Sequence, residues 1–224
     1  MPARFVCLAN SYKEGGRCVA GIMLDHNSNP IIQGGLPRWI RPISTEGHGE
    51  IRVDLVDHLC LLDIVEIEVV EYVGEGYQSE NATFRENTIR VIGAFHPERL
   101  YELCEQRPLL FGNRGKAVHL DHIIRLNHSL TLVQAARFEV IEYTTEDDPD
   151  RKKIRLSFNY KGIQYDFPIT DPIFKNNYQD NPHFVDDTNG LLLTLSVGVP
   201  LQEWHFKLVA GVIAIPLPKA IFLE

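Results

Sequence analysis

Residues 5–24 read FVCLANSYKEGGRCVAGIML, and residues 36–44, after a polar connection, read LPRWIRPIS. Two apolar runs, 5–9 and 18–24, flank a loop from Asn10 to Arg17 that is dense in hydrogen-bond donors and holds Gly15-Gly16, residues that take positive φ at little cost. An apolar run, a glycine turn and a second apolar run describe a β-hairpin, and the turn-forming stretch 25–35, DHNSNPIIQGG, continues it into a meander. Trp39 and Arg41 then alternate about Ile40 in a short extended run halted by Pro42, so an indole and a guanidinium share one face. Such a pair suits a planar, anionic ligand at the working end of a small β-barrel.

The same grammar runs outward along the chain. Residues 63–73, DIVEIEVVEYV, alternate Val65, Ile67 and Val69 with Glu66 and Glu68, as a half-buried strand does. A loop holding Tyr77, Gln78 and Asn81 precedes a strand at 87–95. Pro97 opens a short helical stretch with Leu100, Leu103 and Cys104 on one stripe, ended by Arg107-Pro108. Residues 129–143 are strand-like, TTEDDPD at 144–150 is a hairpin tip or boundary, and 154–160 with 163–167 alternate across a Lys161-Gly162 turn as a second hairpin. Residues 168–187 read as loop, and 191–199 with 205–215 as a last strand pair. About ten strands with turn signals every 8–12 residues predict an all-β barrel or sandwich with one or two short helices.

At 224 residues, with 44% hydrophobic and 23% charged residues, the chain is long enough for two small cores and far from disordered composition. Its longest apolar run, 208–217, is too short to span a bilayer as a helix, and no basic-then-apolar leader follows Met1, which predicts a cytoplasmic protein without membrane contact. Four separated cysteines without a CxxC predict free thiols. The net charge of −8 argues against a generic nucleic-acid coat. The charge is uneven, however: residues 1–41 carry five Lys and Arg against two Asp and Glu, whereas 42–150 carry nine against 21. A localised basic groove is therefore allowed.

Taken together, CLANS at 7–11, GGRCVAG at 15–21, WIRPIS at 39–44, LLDIVEI at 61–67, YQSEN at 77–81, TDP at 170–172, LTLSVGVP at 193–200 and KLVAGVI at 207–213 resemble the bacterial dual OB-containing domain family. The resemblance spans nearly the whole chain. It implies two OB-like β-barrels in tandem and a nucleic-acid-interacting role, and it carries over no catalytic residue. The boundary is expected near residue 125, with the first barrel in 1–125 and the second in 126–224.

The candidate site comprises Asn10, Ser11, Lys13, Arg17, Trp39 and Arg41, with Tyr77, Gln78 and Asn81 from the neighbouring loop. Cations along phosphates and an aromatic plate for a base are what a single strand of nucleic acid needs. Because their strands neighbour one another, Arg17 and Arg41 are expected to reach a common anion. Phe158, Tyr160, Tyr165 and Phe167 match an OB aromatic platform in type, yet cross-strand aromatic pairs are mostly core. The basic run Arg151, Lys152, Lys153, Arg155 lies beside acidic neighbours able to neutralise it. His119, Asp121, His122 and His128 have metal-ligand chemistry without metal-site spacing, since an extended backbone throws His119 and His122 to opposite faces. No metal or cofactor is expected, and no paired carboxylate, Cys–His set or phosphate loop points to an enzyme. The leading expectation is a non-catalytic nucleic-acid-binding module. The rival is an adaptor that docks a partner protein in a defence or nucleic-acid-processing system.

Overall fold

The computed structural model describes residues 1–146, 148–186 and 188–216, with only the backbone at 148–151 and 216. Asp147 of the acidic tip, Asp187, the Arg151 side chain and Leu217 lie outside the described residues. The first half contains β1 (Pro2–Lys13), β2 (Gly16–Leu24), the short ribbon β3 (Ile32–Gln33) and β4 (Leu36–Pro37), and β5 (Trp39–Ile43). It continues through α1 (Val53–Val56), β6 (Asp63–Tyr72), β7 (Asn81–Phe84) and β8 (Arg90–Ala94). Then come β9 (Ala117–His119), α2 (Leu120–Ile123), β10 (Leu130–Ala135), β11 (Phe138–Thr145), β12 (Asp148–Tyr160) and β13 (Ile163–Pro168). The chain ends with α3 (Pro172–Asp180), β14 (Thr188–Leu201) and β15 (Trp204–Pro216).

The first five principal strands close on themselves in the order β1, β2, β5, β7, β6 and back to β1, with β5 and β7 parallel. Phe5, Cys7, Val19, Met23, Ile40, Val65, Ile67 and Val69 fill the interior. Asn10, offered by the sequence as a contact residue, instead donates to the carbonyls of Val56 (2.8 Å) and Leu59 (3.1 Å), tying α1 and its exit to the barrel wall. β8 adds to β6 outside the closed ring.

The second half threads the same order in two sheets, β10-β14-β15-β9 and β11-β12-β13. β10 and β11 act as one long strand broken at Ala136 and Arg137. A parallel bridge from Ile169 to Val209 brings the end of β13 to β15, as β5 meets β7 in the first barrel. A helical segment falls between the third and fourth strands of each half, α1 in one and α3 in the other. The architecture is all-β with two OB-like barrels. The hairpin aromatics Phe158, Tyr160, Tyr165 and Phe167 all point inward and pack on one another.

Two helical expectations are corrected. Residues 97–103 form 3-10 turns, keeping Leu100 and Leu103 buried as the stripe requires. The longest α-helix is α3, inside a stretch read as loop. Asn, Tyr and Asp are weak helix formers, but Asp171 caps this helix, its carboxylate accepting from the amides of Ile173 (3.0 Å) and Phe174 (3.1 Å), with Pro172 in the first turn. The other carboxylate oxygen accepts from Val212 N at 2.9 Å, so the cap also fastens α3 to β15.

The halves share an apolar seam. Strand alternation sends Val6 and Leu8 of β1 and Ile22 and Leu24 of β2 outward, where they meet Leu132, Leu192 and Ile213 of the second half. Ala9 and Ala20 meet Leu130 and Ala210 beside Trp39. β1 is consequently buried on both faces. At its centre β15 comes so close that a Cβ on Gly211 would stand 2.1 Å from the Leu8 carbonyl oxygen.

Candidate nucleic-acid interface

Polar side chains gather where the seam reaches the end of the first barrel. Ser11, Lys13, Arg41 and Gln78 line a narrow cleft of about 130 Å³, with Thr170, Ser196 and Leu208 forming the opposite wall. Backbone carries this junction too, the Tyr12 amide donating to Thr170 O at 2.9 Å. Lys13 Nζ rests on the His48 carbonyl at 2.5 Å.

Arg41 is not a free cation. Its Nη2 lies 3.1 Å from Glu80 Oε1, donates to Ser129 Oγ at 2.8 Å and to Ser196 Oγ at 3.5 Å, while Nη1 reaches Asn81 Oδ1 at 3.4 Å. The Ser129 hydroxyl also donates to the Glu80 carboxylate. With side chains only 5% and 3% exposed, Arg41 and Glu80 form an ion pair within the first barrel, and the hydroxyls of Ser129 and Ser196 tie that pair to the second. Arg41 Nε and Glu80 Oε2 have no hydrogen-bond partner. Nothing in YQSEN distinguishes Glu80 as the partner of a residue 39 positions away, because the pairing comes from the parallel β5–β7 contact.

The remaining predicted residues distribute around this network. Asn81 Nδ2 donates to Gln78 Oε1 at 3.3 Å. Tyr77 sets its ring edge-on to His205 of β15, centroids 4.9 Å apart, and partial burial raises its phenol pKa. Arg17 and Arg41 do not converge on one anion in this arrangement. In β2, Cys18 lines the cleft, whereas Arg17 turns to the other face and lies over the Tyr12 ring at 4.5 Å, with Lys175 over the same ring at 5.4 Å. Trp39 shares Arg41's face, as alternation requires. It is half-buried, and it lines a separate groove whose two lobes, about 380 and 450 Å³, meet at Leu36, Pro37, Trp39 and His128.

His128 is held neutral in that groove. Arg107 Nη2 approaches its Nε2 at 2.8 Å, and since a guanidinium only donates, Nε2 accepts and Nδ1 carries the proton toward Asn127 Oδ1 at 3.0 Å. Burial first, and the Arg107 charge second, push its pKa down to about 4. A folded-state pKa below the unfolded one means that the unfolded chain binds the extra proton, so stability falls as pH drops from about 6.5 to about 4. Denaturation midpoints measured across that window should fall in the wild type and flatten in His128→Asn; equal slopes would refute the assignment.

Lys207 is a buried cation the sequence reading passed over, and it lines neither the cleft nor the groove. It lies in β15 between inward-facing His205 and Val209, fully buried, and Nζ donates to Leu110 O (2.8 Å), Asn113 O (3.0 Å) and Asn113 Oδ1 (2.8 Å). Desolvation lowers its pKa to about 7. In the sequence, the alternation of apolar Trp204, Phe206 and Leu208 with His205 and Lys207 points Lys207 outward, so no local pattern marked it as buried.

The basic run at 152–155 is neutralised locally: Lys152 pairs with Glu142 at 2.7 Å and Arg155 with Asp166 at 3.0 Å. The four cysteines are free, and burial pushes the Cys104 thiol up to about 12. Among the described residues no group of three or more His, Cys, Asp or Glu stands close enough to hold a metal, and no helix is long and apolar enough to cross a membrane.

Two five-strand threadings of the same order, the first closed and the second split into two sheets, packed through a shared seam define a tandem OB-fold protein. The profile of the dual OB-containing domain family matches residues 3–212, and the chain belongs to that family. No curated protein matches it. Among solved structures it is similar to a chain of a replication protein A heterotrimer bound to ssDNA, with 11% identity and a TM-score of 0.36. That alignment covers 98% of this chain and 49% of the other, so the protein spans about half its length.

Proposed function

We propose that the protein is a non-catalytic nucleic-acid-binding module of the cytoplasm, holding a single strand at the junction of its two barrels. We further propose that these divide near residue 125, with β9 lent to the second sheet. The observation that carries the functional reading is the cleft itself. Ser11 and Lys13 of β1, Arg41 of β5 and Gln78 of the turn before β7 converge on one space with hydroxyls of the second half opposite. Hydroxyls, an amide and an ammonium are the donors that phosphate oxygens accept from. Because Glu80 already answers Arg41, the cleft's remaining cation is Lys13, with Glu14 lining the same cleft beside it.

A salt titration tests this. Phosphate contacts release counterions, so the log of affinity for a single-stranded oligomer should fall linearly with log salt, by about 0.7 per phosphate neutralised. Lys13→Ala should weaken binding and shorten that slope by roughly one such step. Absence of oligomer binding at low salt, with tight capture of a defined partner protein, would give the protein to the adaptor reading.

A further inference from the structure

β15 leaves the seam as it runs toward its start, and its outer face changes character on the way. Ala210 and Leu208 line the cleft; Phe206 and Trp204, next on the same face, emerge into solvent at 44% and 45% exposure. The alternate residues His205, Lys207 and Val209 are all buried inward, so the direction of the two aromatics is fixed by the strand. β9 pairs alongside and sets His119 edge-on to the Trp204 indole, centroids 4.9 Å apart. Two large aromatic side chains are thus left open in succession on one face of an ordered strand, continuous with the cleft lined by Ser11, Lys13 and Ser196.

We infer that Trp204 and Phe206 are base-stacking plates for a single strand whose phosphates enter the cleft beside Lys13. The inference rests on the nucleic-acid reading above and adds the residues that would hold the bases. Same-face residues on a strand are about 6.7 Å apart, roughly twice the 3.4 Å rise per nucleotide of a stacked strand. Plates at that spacing suit bases parted from one another and laid singly on protein, as an unpaired strand permits and a duplex forbids. Local charge fixes the direction. Glu203, 3.6 Å from His119 Nε2, and Asp121, 3.3 Å from His119 Nδ1, make the outer end of the plate unfriendly to phosphate. The backbone must therefore run on the side of Ser11, Lys13 and Ser196.

The test compares a thymidine oligomer with an abasic oligomer of the same length, which keeps the phosphates and lacks the bases. Trp204→Ala with Phe206→Ala should weaken binding of the thymidine oligomer about tenfold or more while leaving its salt slope unchanged. The wild type should bind the abasic oligomer about as weakly as the double variant binds the thymidine one. The wild-type comparison needs no substitution, and melting curves verify that the double variant is folded. If the wild type binds thymidine and abasic oligomers equally, or the double variant binds like the wild type, the plates are refuted while the phosphate cleft stands. If the wild type binds neither oligomer at low salt, both readings fall.

Discussion

Arg41→Met is expected to cost about 3–5 kcal/mol of folding stability, because it strands the buried Glu80 carboxylate without its charge partner. The carboxylate would keep only the Ser129 hydroxyl, with its Oε2 already unpartnered. The pair as a whole is another matter, since removing two charges from water offsets much of their attraction. Arg41→Met combined with Glu80→Met should therefore recover most of the loss. Urea denaturation of the three proteins measures both quantities. A single variant within about 1 kcal/mol of wild type would show that the seam admits enough water to solvate Glu80. The result also matters for function, since any loss of oligomer affinity in Arg41→Met has to be read on the folded fraction alone.

The second large effect is expected at Gly211. A methyl group there would sit 2.1 Å from the Leu8 carbonyl oxygen and 3.1 Å from its carbon, and these are backbone atoms with no rotamer to escape into. Gly211→Ala must push β15 away from β1, at about 1–3 kcal/mol or more. Gly198→Ala is the matched control on the neighbouring strand, where the new carbon would meet Leu208 Cδ1 at an ordinary 3.5 Å. Thermal melts should separate the two clearly. Indistinguishable melting temperatures would mean that the barrels are free to part without penalty.

Local pattern carried the strands well. The glycine turn at 15–16, the alternation of 63–73 and the hairpin about Lys161-Gly162 all became β-structure where period two and turn chemistry required it. α3 was missed because its composition is poor for helix and its stability comes from a cap and from Phe174 packed into the second core. That cap, Asp171 followed by Pro172, was readable. The site was legible in parts. Trp39 and Arg41 do share a face, and Ser11, Lys13, Arg41 and Gln78 do meet. What no local reading supplies is the long-range partner: Glu80 opposite Arg41 within the first barrel, and Ser129, Ser196 and Ala210 brought up to Arg41 and Trp39 by the second. The repeated strand order is equally silent in the sequence, since a shared threading needs no shared residues.

The doubly buried β1 bears on how the chain is made. Leu8 leaves the ribosome well ahead of Ile213, which covers the same face and follows about two hundred residues later. At a synthesis rate of about 5–20 residues per second, that face waits roughly 10–40 s for its cover. For that interval a nascent first barrel, however well closed, carries an apolar wall meant for its twin, and its fate depends on what holds the wall until the twin arrives.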